Sequence, residues 1–302
     1  MTKSVSRSLR KSVARIIDRV TVVVVTHNRS ADLRRTLERM LALPHPPAIV
    51  VVDNASTDST ASLVIRHFPQ VKLVSIKQNI GAAARNIGVQ LVTTPYVAFC
   101  DDDSWWHSGS LESAVVLLDI HPGVAVLCAR VLIGPEERED PTSAAMAYSP
   151  LPAGNMPGPS QLDFLACAAV VRRKAFLEAG GYEAKFFIGG EESLLTLDLV
   201  ARGWSLAYVP HLIVHQYPSP RRDSEQRRKY LVRNALWLAW MRLPLPLAAR
   251  QTWKTLRCAY RCRLLTAGLL SALRGLPWAI RQRNVIPTEI AYWYRKLQEI
   301  SF

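Results

Sequence analysis

The chain has 302 residues, 49% hydrophobic and 21% charged, with a mean hydropathy of +0.06, which describes a globular protein with room for one large domain or one domain and an appendage. No charge-free apolar stretch of about 18 residues occurs, so no spanning helix is expected, and the basic, Ser-rich start lacks the apolar core of a secretory signal. The net charge of +14 is segregated: residues 221–302 hold 17 Lys/Arg against 4 Asp/Glu and residues 1–20 hold 6 against 1, so a mildly acidic middle lies between basic ends that suit a polyanion.

After a basic arm over 1–19, Val20-Thr21-Val22-Val23-Val24-Val25-Thr26 is a β-branched run without alternation, as a buried parallel strand requires. It ends in Thr26-His27-Asn28-Arg29-Ser30, where Ser30 is placed to cap a helix with Leu33, Leu37, Met40 and Leu41 on one face. The stretch Pro44-His45-Pro46-Pro47 stops that helix. A second strand, Ala48 to Val52, ends in Asp53-Asn54-Ala55-Ser56-Thr57-Asp58. Asp53 suits either a hydrogen bond to a base or ribose or an Asx turn before Ser56. A third strand, Val71 to Ile76, ends near Asn79-Ile80-Gly81. The small-residue helix that follows carries Arg85, placing a guanidinium and helix amides where a phosphate could bind; a solvated helix arginine is the alternative.

The fourth strand, Tyr96 to Cys100, runs into Asp101-Asp102-Asp103. Three adjacent acids cannot be buried unpaired, so they are expected at the strand's C-terminal edge, facing water, a cation or both. That edge is where open α/β sheets bind ligands, although the acids could also cap the next helix. The β-α-β-α-β-α-β order predicts a parallel, doubly wound sheet. Neither a G-x-G-x-x-G after the first strand nor a P-loop occurs, which argues against a dinucleotide dehydrogenase and a P-loop NTPase.

Ser108 is placed to cap a helix bearing Leu111, Val115 and Leu118, and a strand over Val124 to Cys128 follows. The Pro/Gly-rich span 141–159 reads as a long functional or disordered loop, and Phe164 to Val171 as a strand. Gly189-Gly190-Glu191-Glu192 forms the second landmark: two glycines that permit unusual backbone geometry, then two acids that open a helix and also suit its dipole. Trp204 to Pro210 and Leu212 to His215 read as two short strands. The five cysteines, Cys100, Cys128, Cys167, Cys258 and Cys262, include no C-x-x-C pair and suggest reduced thiols in a cytoplasmic compartment.

Together these landmarks resemble the family 2 inverting glycosyltransferases of GT-A fold, in particular their rhamnosyltransferase-like bacterial branch. The pieces are Val23 to Arg29, Val51 to Asp58, Asn79-Ile80-Gly81 with Ala84-Arg85-Asn86, Asp101-Asp102-Asp103 and Gly189 to Glu192, spanning about 20–217. The resemblance implies an α/β, Rossmann-like, doubly wound and mostly parallel sheet, with a nucleotide-binding half over about 20–103 and an acceptor half over about 104–217. It places Thr26, Asn28, Arg29, Asp53, Asn79, Gly81, Arg85, Asp101 and Asp102 on a nucleoside-diphosphate sugar. Asp101 and Asp103, with His215, become ligands of Mg²⁺ or Mn²⁺. Glu192 becomes the catalytic base, with Glu191 as the alternative, and Trp105, Trp106 and Gly190 face the acceptor. Such an enzyme moves a sugar to a hydroxyl of a lipid-linked or polysaccharide acceptor with inversion, the metal neutralising the departing diphosphate and one base taking the acceptor proton.

Residues 218–302 interleave aromatic and basic side chains, as in Trp237, Trp240 and Arg242 or Tyr292-Trp293-Tyr294-Arg295-Lys296. That extension is read as helical. It suits an anionic membrane surface, with the enzyme peripheral on the inner face of the cell membrane; packing on the catalytic domain is the other reading. No nucleic-acid motif is present, and none is expected as partner. Two other functions fit part of the pattern. A sugar-nucleotidyltransferase would need a glycine- and lysine-bearing loop after the first strand, which is absent. A non-catalytic membrane-bound glycan-assembly subunit would not need the intact Asp103 and Glu192.

Overall fold

The computed structural model describes residues 16–218, 224–262 and 265–300. Most of the expected basic arm, and the start of the extension at 219–223, lie outside the described residues. The β-branched runs form strands β1 (Val20–Thr26), β2 (Ala48–Asn54), β3 (Lys72–Ile76) and β4 (Tyr96–Asp101). Between them lie helices α1 (Ser30–Leu41), α2 (Thr60–His67) and α3 (Ala84–Leu91). The four strands lie in the order β3-β2-β1-β4, all parallel, with Thr26 opposite Asp53 and Val25 opposite Asp101. The strand order turns back between β1 and β4, and the loops that leave their C-terminal ends border the crevice such a sheet offers to a ligand.

The second half extends the same sheet with β5 (Ser104–Trp106), α4 (Ser110–Ile120), β6 (Val124–Ile133), β7 (Arg138–Glu139), α5 (Pro141–Ala147), β8 (Ala169–Arg172), α6 (Arg173–Glu178), α7 (Glu191–Val200) and β9 (Ser205–Gln216). From β4 the order continues β8-β6-β9-β5, with β7 beside β6. The β6–β9 pairing is parallel. The antiparallel pairings, β4–β8, β8–β6, β6–β7 and β9–β5, span only two or three residues each, so the nine-stranded sheet is mixed and mostly parallel. Apolar side chains of α1, α2 and α4 pack against one face of the sheet, and those of α3, α6 and α7 against the other.

Several local expectations are corrected. Ser30 is the first residue of α1 and its side chain does not cap it; Arg29 holds the cap position, and the Ser30 amide donates to Asp58 Oδ2 at 3.4 Å. Gly109, at φ +83°, takes the place expected of Ser108. The span 141–159 contains α5, whose start is capped by Asp140, the acceptor for the amides of Thr142 and Ser143. The run Phe164 to Val171 divides into a 3₁₀ turn over Ala166–Ala168 and the short β8. The two strands expected near the end are one, β9, because an irregularity in its register with β6 absorbs Pro210 without breaking the pairing.

Four helices follow: α8 (Ser224–Arg242), α9 (Leu245–Arg261), α10 (Leu265–Arg281) and α11 (Thr288–Ile300). They share a cluster with the sheet's helical layer, in which Trp237, Leu238 and Met241 of α8 meet Phe186, Leu194 and Leu197. Arg242 forms a two-pronged ion pair with Asp198 of α7. No helix among the described residues is long and apolar enough to cross a membrane.

Candidate active site

The crevice is built where the polar strand ends meet. Asn28 follows β1 with φ +54°, a conformation asparagine tolerates better than most residues. Its side-chain oxygen accepts from the amides of Thr57 at 2.7 Å and Asp58 at 3.3 Å, tying the β1 loop to the β2 loop. Asp53 is buried and forms the Asx turn: Oδ1 accepts from the Ser56 amide at 3.0 Å, while Oδ2 accepts from the Ser75 hydroxyl at 3.2 Å. Buried Asn54 extends the connection to the third loop, accepting from the Ile80 amide and donating to the Gly81 carbonyl. Asn79 accepts from the Gly81 amide at 2.9 Å.

The three aspartates lie beside this ledge, but not as solvated acids. Asp103 is fully buried and accepts from Gln216 Nε2 at 3.2 Å, and its carbonyl accepts from the Tyr217 amide. Arg29 Nη1 lies 3.4 Å from carboxylate oxygens of both Asp102 and Asp103. Burial pushes the Asp102 carboxyl up to about 7; Arg29 opposes this, and the neighbouring Asp103 and Asp101 add to it. Asp101, the most open of the three, is paired with Arg85. Among the described residues no three His, Cys, Asp or Glu side chains are arranged to hold a metal. The donor set nevertheless fits a hard divalent cation. Asp103 and Asp101 act on Asp102 as like charges, and Mg²⁺ or Mn²⁺ at such sites typically takes only one or two carboxylates and completes its shell with water and substrate phosphates.

Arg85 connects this cluster to the second acidic landmark. Burial disfavours its charge, yet the carboxylates of Asp101, Glu192 and Glu191 and the nearby Tyr182 hold its pKa above the usual value. The loop before α7 reaches back across the sheet, where the Phe187 carbonyl accepts from the Ala82 amide at 2.6 Å. Gly81 is required there: its φ is +64°, and a Cβ would stand 1.9 Å from the Phe187 oxygen. Gly189 and Gly190, at φ +87° and +88°, then turn the chain into α7. Glu191 is buried, and among the described residues its Oε2 has no hydrogen-bond partner. Glu192 remains partly accessible. Burial raises both carboxyls, and at Glu192 the like charges of Glu191 and Asp163 add to it.

Asp163 escaped the sequence reading. It accepts from the Ser193 hydroxyl at 2.7 Å beside the glutamate pair, and burial raises its carboxyl. The available signal was a lone acid followed at once by the apolar Phe164-Leu165. Tyr294 of α11 belongs to the same neighbourhood, its phenol pushed up to about 12 by burial and then by Asp163.

Three expected site residues are elsewhere. His215 faces away from the triplet: its ring stacks on Trp105, meets His107 at 3.0 Å and lies 3.3 Å from Glu137. Side chains alternate along a strand, so the adjacent Gln216 reaches Asp103 instead. Trp106 is fully buried and donates to the Phe99 carbonyl at 3.1 Å, and Trp105 is enclosed by Arg39, His215 and Tyr217. Both tryptophans are core residues and present no acceptor surface. Gly190 does flank the glutamates, packed against Asn234 of α8.

The profile described as "Glycosyl transferase family 2" matches residues 21–180. A pre-mycofactocin glycosyltransferase of Mycobacterium tuberculosis is 30% identical over 236 residues, covering 73% of this chain but 47% of its own length, so the chain spans about half of that relative. An N-acetylglucosaminyl-diphospho-decaprenol L-rhamnosyltransferase of the same species is 24% identical over 277 residues, covering 76% of this chain and 88% of that one. Among solved structures, the mannosyltransferase PcManGT of Pyrobaculum calidifontis with GDP-Man and Mn²⁺ superposes with a TM-score of 0.58 at 21% identity, covering 87% and 84% of the two chains. S. aureus TarS with UDP-GlcNAc gives 0.62 at 16% identity, covering 87% and 79%. These structures share the GT-A architecture. With the strand-end crevice and the matched profile, the chain belongs to glycosyl transferase family 2.

Proposed function

We propose that the protein is a metal-dependent, inverting transferase that moves a sugar from a nucleoside-diphosphate sugar to a hydroxyl of a lipid-linked or polysaccharide acceptor. One observation carries the reading: the aspartate cluster and the Glu191–Glu192 pair sit on separate elements with Arg85 in the electrostatic field of both. A displacement with inversion needs that separation. The leaving diphosphate must be held on one side while a base removes the acceptor proton on the other.

In this account Asp53, with the Asn28 and Asn79 loops, receives the base and ribose. Arg85 and Arg29 hold the diphosphate. Asp101 and Asp103 would hold Mg²⁺ or Mn²⁺, which when bound supplies positive charge to the departing phosphates. Glu192 takes the proton of the attacking hydroxyl. Its partial exposure makes it the better candidate than the enclosed Glu191, and its raised affinity for protons makes it a stronger base once ionised. Asp163 and Tyr294, on the same side, would border the acceptor.

The decaprenol-linked acceptor in the name of one relative favours a lipid-linked acceptor here. The exposed Trp253 and Tyr260 of α9, interleaved with Lys254, Arg257 and Arg261, favour peripheral contact with an anionic membrane. Supplying the pure protein and Mn²⁺ with UDP-, GDP- and dTDP-sugars in turn, and following release of the diphosphate, tests the enzyme reading. Turnover with one donor, lost in Asp103→Asn and Glu192→Gln, supports it; no turnover with any donor overturns it. Co-sedimentation with vesicles containing anionic lipid tests the surface, where Trp253→Ser with Tyr260→Ser should reduce pelleting.

A further inference from the structure

The loop that carries the glutamate pair is held in an unfavourable conformation by a helix outside the sheet. Phe187 has φ +62° and ψ −63°, the geometry of a strained γ-turn, and Gly189 and Gly190 follow with positive φ. Such a backbone persists only where its surroundings hold it. Here the restraint comes from two adjacent residues of α8. Asn234 is 1% exposed, and its amide nitrogen faces three carbonyls of the loop: Phe186 at 2.9 Å, Ile188 at 3.2 Å and Gly189 at 2.6 Å. Arg233 Nη2 donates to the carbonyls of Lys185 at 3.0 Å and Phe186 at 2.8 Å.

Arg233 also fixes which way Asn234 points. Its Nε donates to Asn234 Oδ1 at 2.9 Å, so the Asn234 nitrogen is left to face the loop. The guanidinium is held in turn between the rings of Tyr230 and Trp237, at 4.5 Å and 4.4 Å. These contacts converge on the residues immediately before Glu191 and Glu192. The far side of the loop is pinned to the donor ledge through Phe187 and Ala82.

We infer that Arg233 and Asn234 are positioning residues that set the placement of Glu192, through the backbone of 185–189, without touching substrate. The inference rests on Glu192 as the base. It makes α8 part of the catalytic apparatus, so that anything moving that helix alters turnover.

The test uses full-length protein and whichever of the UDP-, GDP- or dTDP-sugars gives turnover. Asn234→Asp keeps the shape but turns an acceptor toward three carbonyls; Arg233→Lys keeps the charge but removes the bond to Asn234. Each is assayed well below its own melting temperature. The expected result is a fall in kcat of about 10–100-fold, the usual cost of a misplaced catalytic group, with the KM for the donor and the Kd of the corresponding nucleoside diphosphate within about twofold of wild type. Adding Glu192→Gln to either variant should lower kcat no further than Glu192→Gln alone, because both act through one group. A merely structural role would leave kcat unchanged in the folded fraction or change kcat and KM together, and either result overturns the inference. If Asn234→Asp fails to fold, Arg233→Lys alone decides. If Glu192→Gln keeps full turnover, the assignment of the base fails instead, which the kcat of Arg233→Lys cannot mimic.

Discussion

Gly81 is where the loop after β3 and the loop that carries the glutamate pair touch, and replacing it with alanine tests whether that contact is as close as described. The residue has φ +64°, which costs a side-chain-bearing residue about 1–2 kcal/mol. The new methyl would also stand 1.9 Å from the Phe187 oxygen and 2.6 Å from its carbonyl carbon, both backbone atoms, so the chain must move. Overpacking of this kind costs about 1–3 kcal/mol, and separation of the loops breaks the Ala82–Phe187 hydrogen bond, about 1 kcal/mol more. Because movement relieves part of each term, the expected loss is about 2–4 kcal/mol. That corresponds to a fall in Tm of about 3–6 °C in a chain of this size. Thermal and urea unfolding followed by tryptophan fluorescence measure it. Turnover at a temperature where the variant is folded should fall at least about tenfold, since the displaced segment carries Glu192. A Tm within about 1 °C of wild type, with unchanged turnover, would refute the close contact and its coupling to the base.

Five further outcomes are expected. Glu192→Gln should lower kcat by about 10²–10⁴-fold yet raise stability at neutral pH. The carboxyl binds its proton more tightly in the fold than in the unfolded chain, so the wild-type fold loses stability as pH rises from the ordinary carboxylate range through the raised value; the gain should vanish near pH 4 in chemical denaturation. For the same reason, the acid limb of the wild-type kcat–pH profile should lie above the ordinary carboxylate range. Asp198→Leu should destabilise by about 2–3 kcal/mol by leaving the partly buried Arg242 without its carboxylate partner, measured by urea titration, whereas Asp198→Leu with Arg242→Met should recover much of the loss. Exhaustive chelation should abolish turnover, with Mn²⁺ or Mg²⁺ restoring it. His215→Ala should leave the metal concentration giving half-maximal activity within about twofold, because that ring faces His107 and Glu137.

The first half of the sheet was legible because its signals are redundant. Unbroken β-branched runs at β1 and β2 demand burial on both faces, and the polar residues ending each strand then have only the crevice edge to occupy. The second half was less so. His215 and Gln216 differ by one position in a strand, and only the register with β5 decides which reaches Asp103. Trp105 and Trp106 beside an acidic cluster read as ligand platforms, but three residues of pairing to β9 turn them into the core. The positive φ of Phe187 has no compositional signal, since an aromatic residue there is disfavoured and held only by tertiary contacts. Arg233 and Asn234 looked like part of a basic aromatic helix. Their contacts are with a loop that is distant in sequence.

The central claim is that one base, Glu192, drives a single displacement while the aspartate side holds the leaving group. The stereochemistry of slow donor hydrolysis by water tests it without knowledge of the acceptor. The protein is incubated with Mn²⁺ and its preferred nucleotide sugar, and the first sugar released is observed by ¹H NMR before mutarotation. The account predicts the anomer opposite to that of the donor, formed by wild type and not by Glu192→Gln. Release of the retained anomer, or an equal rate from Glu192→Gln, would contradict it.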